Sequence, residues 1–222
     1  MARKKEQDSF ARRNGLTLAF LALMAVTIVV HALSGLRVEN KEREHEGKAP
    51  IDLPAYVASG HFQSTLFENW ESEFLQMALF VVLTVSLRQK GSSESRKMDP
   101  AEEEHKKYPA SVQPWAARQR GLVRKLYEHS LSLSLFLLFA LSFVGHWLAS
   151  WRQHRDEALH QGELPATLME HLGSAEFWFE SMQNWQSEFL AVVAIVVLSI
   201  FLREKDSSQS KQVEAPHSET GV

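Results

Sequence analysis

Four apolar blocks, separated by charged stretches, give this 222-residue chain its pattern. The first and third blocks, Leu16 to Leu36 and Leu131 to Trp151, each contain about 20 residues, enough for a helix to cross a hydrocarbon layer of ~30 Å. The second and fourth, Phe74 to Leu87 and Ala191 to Leu202, are shorter, so their helices must carry the preceding polar residues partly into the membrane. The pattern therefore predicts an all-α membrane protein with four transmembrane helices.

The second half of the chain repeats the first at an offset of 115 residues. The heptad NWESEFL at 69–75 returns as NWQSEFL at 184–190, and residues 69–95 match residues 184–210 at 15 of 27 positions without a gap. The first apolar block returns as the third, inside the chain, which argues against a cleaved signal peptide at the N-terminus. We therefore predict that the four helices form two tandem helical hairpins.

These patterns divide the chain into five segments. A basic N-terminus, 1–14, precedes the first hairpin, 15–90, with spans at about 15–36 and 66–88. A polar linker, 91–125, leads to the second hairpin, 126–205, with spans at about 130–151 and 181–203. The tail, 206–222, is rich in Ser and Glu and is expected to be disordered.

Lysine and arginine are concentrated on one side of these spans. The N-terminal flank, the linker with its flanks and the tail hold 18 of the 24 bases. Because bases near membrane ends are retained in the cytoplasm, both termini and the linker are predicted to be cytoplasmic. The two hairpins then have the same orientation and are parallel rather than inverted repeats.

Composition excludes several classes of function. The chain has no cysteine, which excludes disulfides, thiolate metal sites and cysteine nucleophiles. Its 24 bases and 27 acids nearly balance and give no nucleic-acid signal. No phosphate-binding loop, dinucleotide fingerprint, serine-nucleophile elbow or His-Glu-x-x-His zinc motif is present. We therefore expect no cofactor and regard an enzyme as the least favoured class, while a metal stays open.

Polar residues near the predicted outer ends of the helices are the candidate site. Positions 69, 72 and 73 share one helix face, as do 184, 187 and 188. A rise of 1.5 Å per residue puts both glutamates about 22 Å above the cytoplasmic boundary, and the two histidines at a similar height. Because ionisable groups inside a membrane are costly, they are candidates for function. The predicted cluster comprises His31, Asn69, Ser72, Glu73, His146, Asn184, Ser187 and Glu188.

Two interpretations of this cluster stay open. In the first, the chain is a small transport-type or proton- or ion-responsive protein that uses the cluster; if Glu73 and Glu188 lie close together, they cannot easily both be ionised. In the second, the groups only cap helices and fasten the hairpins of a structural or interaction protein, whose linker binds a cytoplasmic partner. The lipid bilayer is a partner in either case, and both are compatible with a homo-oligomer.

The two heptads and their surroundings also carry a resemblance to a family. The strings at 67–77 and 177–190, each followed by an apolar run and Leu-Arg, resemble a family of uncharacterised bacterial integral membrane proteins with a duplicated hairpin and a repeated NWxSEFL motif. The resemblance covers both hairpins. It implies a multi-pass protein of the bacterial inner membrane and carries no assigned activity with it.

Overall fold

The structure, a computed structural model, describes residues 9–99, 101, 103 and 107–221. Parts of the predicted N-terminus (1–8), linker (100, 102, 104–106) and tail (222) therefore lie outside the described residues. The described residues form helices and no strand, so the all-α prediction is confirmed. The chain divides into two compact units, residues 1–63 and 64–222, and the boundary falls within one helix.

The first unit contains two helices and the start of a third. Helix α1, Phe10–His45, begins where the Ser9 side chain accepts a hydrogen bond from the Arg12 amide, and it is kinked at Asn14. Helix α2, Leu53–Val57, is capped by the side chain of Asp52. The third helix, α3, spans Gly60–Ser86 and continues into the second unit.

The second unit holds the rest of α3 and four further helices. Two 3₁₀ turns, Ala110–Val112 and Ala116–Arg118, lie between α3 and the next helix. The helices that follow are α4, Leu122–Glu128; α5, Ser130–Gln161; α6, Leu168–Leu172; and α7, Ala175–Phe201.

Helices α1 and α5 extend well past the predicted spans, into segments that the charge pattern had marked as loop. In α1 the extension is supported by an ion pair one turn apart, Glu39 with Arg43 at 3.7 Å. Each extension ends at a glycine in the left-handed region, Gly47 with φ 71° and Gly162 with φ 75°. Glycine adopts this conformation without the steric cost that a side chain would add, so these two residues stop the helices.

Three of the described helices, α1, α5 and α7, are long and apolar enough to cross a membrane by length and composition. In their most apolar stretches only 6%, 11% and 6% of the residues are buried, which leaves a large apolar surface for lipid. The chain thus has the features of a membrane protein. Helix α3 is as long as α7 but is not among the three, because its last 18 residues contain Glu71, Glu73 and Gln76, whereas α7 has Gln186, Glu188 and Ala191 at the matching positions and is more apolar.

Helix bounds follow the sequence offset of 115 residues. Adding 115 to the ends of α2, Leu53 and Val57, gives the ends of α6, Leu168 and Leu172. The same addition converts the bounds of α3, 60–86, into those of α7, 175–201. The similar sequences therefore form helices of equal length.

The loops after α3 and α7 share one hydrogen-bond pattern. Arg88 donates through Nη1 to three carbonyls at the end of α3, and Arg203 does the same at the end of α7. Seven residues after each arginine, Ser95 and Ser210 accept from the backbone amides of Gln89 and Glu204. Carbonyls that a helix end leaves unpaired are thus satisfied by the arginine of each Leu-Arg pair.

The tail, expected to be disordered, makes ordered contacts with the start of the linker. The Gly221 amide donates to the Ser92 carbonyl at 2.9 Å, and the Gly91 amide donates to Thr220 Oγ1 at 2.9 Å. The buried Lys211 ammonium has three hydrogens and lies within hydrogen-bonding distance of four carbonyls, those of residues 91, 216, 217 and 219. Composition alone indicated disorder, whereas this ammonium finds four acceptors in one place. We call these contacts the tail clasp.

We predict that Lys211→Met lowers the stability of the purified protein. The substitution leaves carbonyls of the tail clasp without their donor, at a cost of about 1–3 kcal/mol. The exposed Lys205 provides the matched control, Lys205→Met. Thermal unfolding in detergent should show a lower midpoint for Lys211→Met alone; equal midpoints for the two variants would contradict a stabilising clasp.

Candidate functional site

Helix α5 presents a face of small and polar residues to the helices packed on it. Its buried residues are Ser142, His146, Ala149 and Ser150; each lies three or four positions from at least one other and so they share one side of the helix. Small residues let helix backbones approach closely. At Gly145 the ring of a phenylalanine from α3 occupies the space that a side chain would need.

His146 lies fully buried between two carboxylates. Its Nδ1 is 2.9 Å from Glu71 Oε2 on α3, and its Nε2 is 3.2 Å from Glu180 Oε2 on α7. Glu71 is fully buried, whereas the Glu180 side chain keeps 26% of its surface exposed. One imidazole therefore connects three helices. We call these three residues the His146 triad.

The triad geometry requires two hydrogens between its partners. A neutral imidazole carries one N–H and can donate to only one carboxylate. The second contact needs a further proton, either on the other ring nitrogen or on a carboxyl group. When that proton leaves, two lone pairs face each other and one contact that joins the helices is lost. The triad thus couples a proton to the packing of α3, α5 and α7.

Aromatic residues enclose the Glu71 side of the triad. Trp185 on α7 donates through Nε1 to Glu71 Oε1 at 2.9 Å, so both oxygens of this carboxylate have partners. The ring of Phe177, also fully buried, stacks on the His146 imidazole with 4.9 Å between the ring centroids. On this side of the site, Glu71 and His146 are fully buried and both oxygens of Glu71 have hydrogen-bond partners.

The Glu180 side continues through further polar groups. Ser150 Oγ donates to Glu180 Oε2 at 2.8 Å and lies 2.9 Å from His171 Nε2, on α6. Since the Ser150 proton is directed at Glu180, the His171 N–H donates to Ser150. His154 is close as well, with Nε2 3.9 Å from Glu180 Oε1 and its ring centroid 4.9 Å from that of His171.

An open cleft of about 320 Å³ meets the site at this end. Its lining includes His154, His171, Ser174 and Glu176, from α5, α6 and the start of α7. Burial lowers the pKa of His171 below its usual 6.5, and the neighbouring His154 lowers it further, against the attraction of Glu180. His171 is therefore neutral at neutral pH.

A second carboxylate on α3 lies beside the triad. Glu68 accepts a hydrogen bond from the Asn184 side chain of α7. It also interacts electrostatically with the imidazole and both carboxylates of the triad. Among the described residues, no group of three or more His, Asp or Glu side chains is arranged to hold a metal ion. The imidazole and carboxyl groups of this site can accept and donate protons.

Comparison with known families matches residues 7–222 to a domain of unknown function, DUF6766. The chain belongs to this family. No curated protein and no solved structure matches the chain. The function of this DUF6766 protein has therefore to be argued from its own residues.

The predicted cluster is divided in the structure of the DUF6766 protein. His146 and Asn184 lie in the site described above. Glu73 and Glu188, on α3 and α7, have carboxyl groups that interact with each other. Three others bond to the backbone of their own helices: Asn69, Ser72 and Ser187. His31 belongs to the first unit, where its ring lies 5.1 Å from that of Phe62.

Five site residues were missed by sequence reasoning: Glu68, Glu71, Ser150, His171 and Glu180. The prediction chose the face of α3 that carries residues 69, 72 and 73, whereas the stripe buried in this unit runs through 64, 71, 72, 75 and 78, so that only Ser72 of the predicted face is buried. Two small residues in that stripe, Ser64 and Ala78, were the available signal, since small residues mark close helix contacts. No spacing pattern in the sequence identified Glu71 and Glu180 as the hydrogen-bond partners of His146.

The two segments related by the 115-residue offset, called here the first and second copy, differ at this site. Both keep a histidine and phenylalanine in ring contact, His31 with Phe62 and His146 with Phe177. Where the second copy has Ser150 and His171, the first has Gly35 and Tyr56, and the Tyr56 side chain fills the space beside the glycine. At the positions of Glu180 and Glu71 the other copy has Thr65 and Gln186.

We predict that acid weakens the fold through His171. Because its pKa is lowered in the folded state, the unfolded chain takes up the proton first as the pH falls below 6.5. The free energy of unfolding therefore decreases with falling pH in this range. Replacing His171 by Tyr, the residue of the first copy, should reduce this acid sensitivity in thermal unfolding measured at several pH values. If His171→Tyr loses stability at low pH as much as the wild type does, the assignment of the acid sensitivity to His171 is contradicted.

Proposed function

We propose that this DUF6766 protein is a proton-responsive membrane protein and that the His146 triad is the group that binds the proton. One observation carries the proposal: both ring nitrogens of a fully buried histidine face carboxylates from two other helices. Ionisable groups at such a position are expensive in an apolar environment and usually serve a function. Loss of the second proton removes a contact among α3, α5 and α7, so proton binding changes how these helices pack.

For the architecture we propose four spans in two tandem parallel hairpins, with α3 as the fourth span. Its equal length with α7 and the matching sequences support this arrangement. Pairing of Glu71 with His146 and Trp185 reduces the cost of carrying that carboxylate into a membrane. The base distribution and the family resemblance support a location in the bacterial inner membrane with both termini cytoplasmic.

A structural or interaction protein is the second candidate. The observation in its favour is that each member of the triad has a hydrogen-bond partner, as a network that only fastens helices requires. The two candidates differ in their response to pH. A fastening role survives when the carboxylate is replaced by an amide, whereas a proton-binding role does not.

We predict that Glu71→Gln folds but loses the alkaline sensitivity of the wild type. The amide donates an N–H to His146 Nδ1 and still accepts from Trp185, while the neutral imidazole donates through Nε2 to Glu180. All contacts are then satisfied without a second proton. Thermal unfolding in nanodiscs should show that wild-type stability falls as the pH rises above neutral, while the stability of Glu71→Gln stays constant over the same alkaline range.

Glu73→Gln is the matched control, since Glu73 lies two residues away on α3 and is exposed. It should keep the wild-type pH dependence. If Glu73→Gln removes that dependence and Glu71→Gln does not, the proton site is the Glu73 and Glu188 pair. If all three proteins respond alike to pH, the structural candidate is correct.

The four-span arrangement makes a separate prediction for labelling with a membrane-impermeant thiol reagent in intact cells. The chain has no cysteine, so a single introduced cysteine is labelled without background. With four spans, cysteines at Glu44 and Gln161 should react and one at Ser111 should not. If α3 does not cross, residues 44 and 111 lie on the same side and residue 161 on the other. Labelling at 44 and 111 but not at 161 would exclude the four-span arrangement.

A further inference from the structure

We infer that the His146 triad exchanges its proton with water at one end only, through Ser150 and His171. This inference rests on the proposed function and adds the route by which the proton arrives. The two ends of the triad differ in surroundings: Glu71 is fully buried, whereas Glu180 is partly exposed and hydrogen-bonded toward the cleft beside α6.

An unbroken series of hydrogen bonds leads from the triad to the cleft. Its successive distances are 3.2 Å from His146 Nε2 to Glu180 Oε2, 2.8 Å from that oxygen to Ser150 Oγ, and 2.9 Å from Ser150 Oγ to His171 Nε2. Each member either carries a transferable hydrogen or accepts one. His171 in turn lines the cleft with His154.

Proton uptake along this series balances without another reactant. A proton from water in the cleft enters the His171 ring, whose Nε2 hydrogen passes to Ser150. Ser150 gives its own hydrogen to Glu180, and the protonated Glu180 then donates to His146 Nε2. Ser150 ends as a neutral hydroxyl and His171 as a neutral imidazole with the hydrogen on its other nitrogen. The triad gains the one proton that its second contact needs.

Among the described residues, no comparable series of hydrogen bonds leads from the opposite end of the triad to the surface. Glu71 Oε2 faces His146, and Glu71 Oε1 accepts from the Trp185 indole, which has no acceptor to pass a proton onward. The ring of Phe139 lies 6.1 Å from that indole, and Phe177 covers the imidazole. A proton that reaches Glu71 therefore returns the way it came.

Charged groups on every packed helix affect this route. Around His146 they are Glu68 and Glu71 of α3, His154 of α5, His171 of α6 and Glu180 of α7. Glu176, near the start of α7, acts on His171. His154 is the competing route, because it lines the cleft and lies near Glu180. Its Nε2 is 3.9 Å from Glu180 Oε1, which is too far for a direct hydrogen bond. The experiment must therefore separate His154 from the Ser150 and His171 pair.

The first copy of the repeat supplies a natural replacement for that pair. Its Gly35 and Tyr56 occupy the equivalent positions, and the tyrosine side chain fills the space beside the glycine. The double variant Ser150→Gly, His171→Tyr thus installs a combination that this sequence already uses in the same local structure. It lacks the imidazole and the serine hydroxyl of the relay.

The test is a stopped-flow pH jump on the full chain in nanodiscs, followed by tryptophan fluorescence. Trp185 reports the triad because it donates to Glu71, and Trp185→Phe should lose the signal. Ser150→Ala should slow proton uptake about tenfold or more, and a pH-dependent change of the signal should still be reached at equilibrium. His154→Gln, the comparison variant, should slow proton uptake much less than Ser150→Ala does. The double variant provides the same measurement if Ser150→Ala does not fold.

The outcomes separate this inference from the proposed function. A wild-type signal that does not change with pH contradicts the proposed function, and the relay with it. A normal titration with equal rates in wild type, Ser150→Ala and the double variant contradicts the relay alone. Slower uptake in His154→Gln but not in Ser150→Ala assigns the route to His154 and also overturns the inference.

Discussion

A buried imidazole that faces a carboxylate on each side is the constraint on which the second unit depends. Such a group is stable in an apolar interior only when every hydrogen and lone pair has a partner. Helix α5 therefore needs small residues beside His146, so that α3 and α7 can bring their glutamates within 3.2 Å. The Trp185 indole and the Ser150 hydroxyl satisfy the remaining oxygens. The packing of these helices, the polarity of the site and the number of protons in the triad therefore depend on one another.

Sequence reasoning found the helices because their signal is local. Apolar runs and the repeated heptad predicted helices near 16–36, 131–151 and 184–202, and the structure has helices there. The sequence analysis did not predict the full length of α1 and α5. Charged segments are typical of loops, and the glycines at which these two helices end were not used to place their C-terminal ends. The tail clasp was missed because composition does not show that one ammonium meets four carbonyls.

The site was only partly predictable for a different reason. His146 and Asn184 stood out as polar residues near apolar segments, but Glu71 and Glu180 become partners only when α3, α5 and α7 meet. The repeat itself favoured pairs that match between copies, such as Glu73 with Glu188. Two of the three triad positions instead differ between the matching segments, since the residues aligned with Glu71 and Glu180 are Gln186 and Thr65, whereas His146 aligns with His31. Identity between the segments therefore pointed to the histidine but not to its two carboxylate partners.

The one-ended route to His146 has an electrical consequence. A proton that moves inward from one face of a membrane and stops part-way crosses only part of the transmembrane field. Displacing one elementary charge across the whole field is worth about 2.3 kcal/mol per 100 mV, and a partial crossing is worth a proportional share. With the route we infer, occupancy of the triad would depend on the membrane potential as well as on the pH of the solution beside α6. The three residues would then respond to the voltage and to the proton concentration on one face of the membrane together.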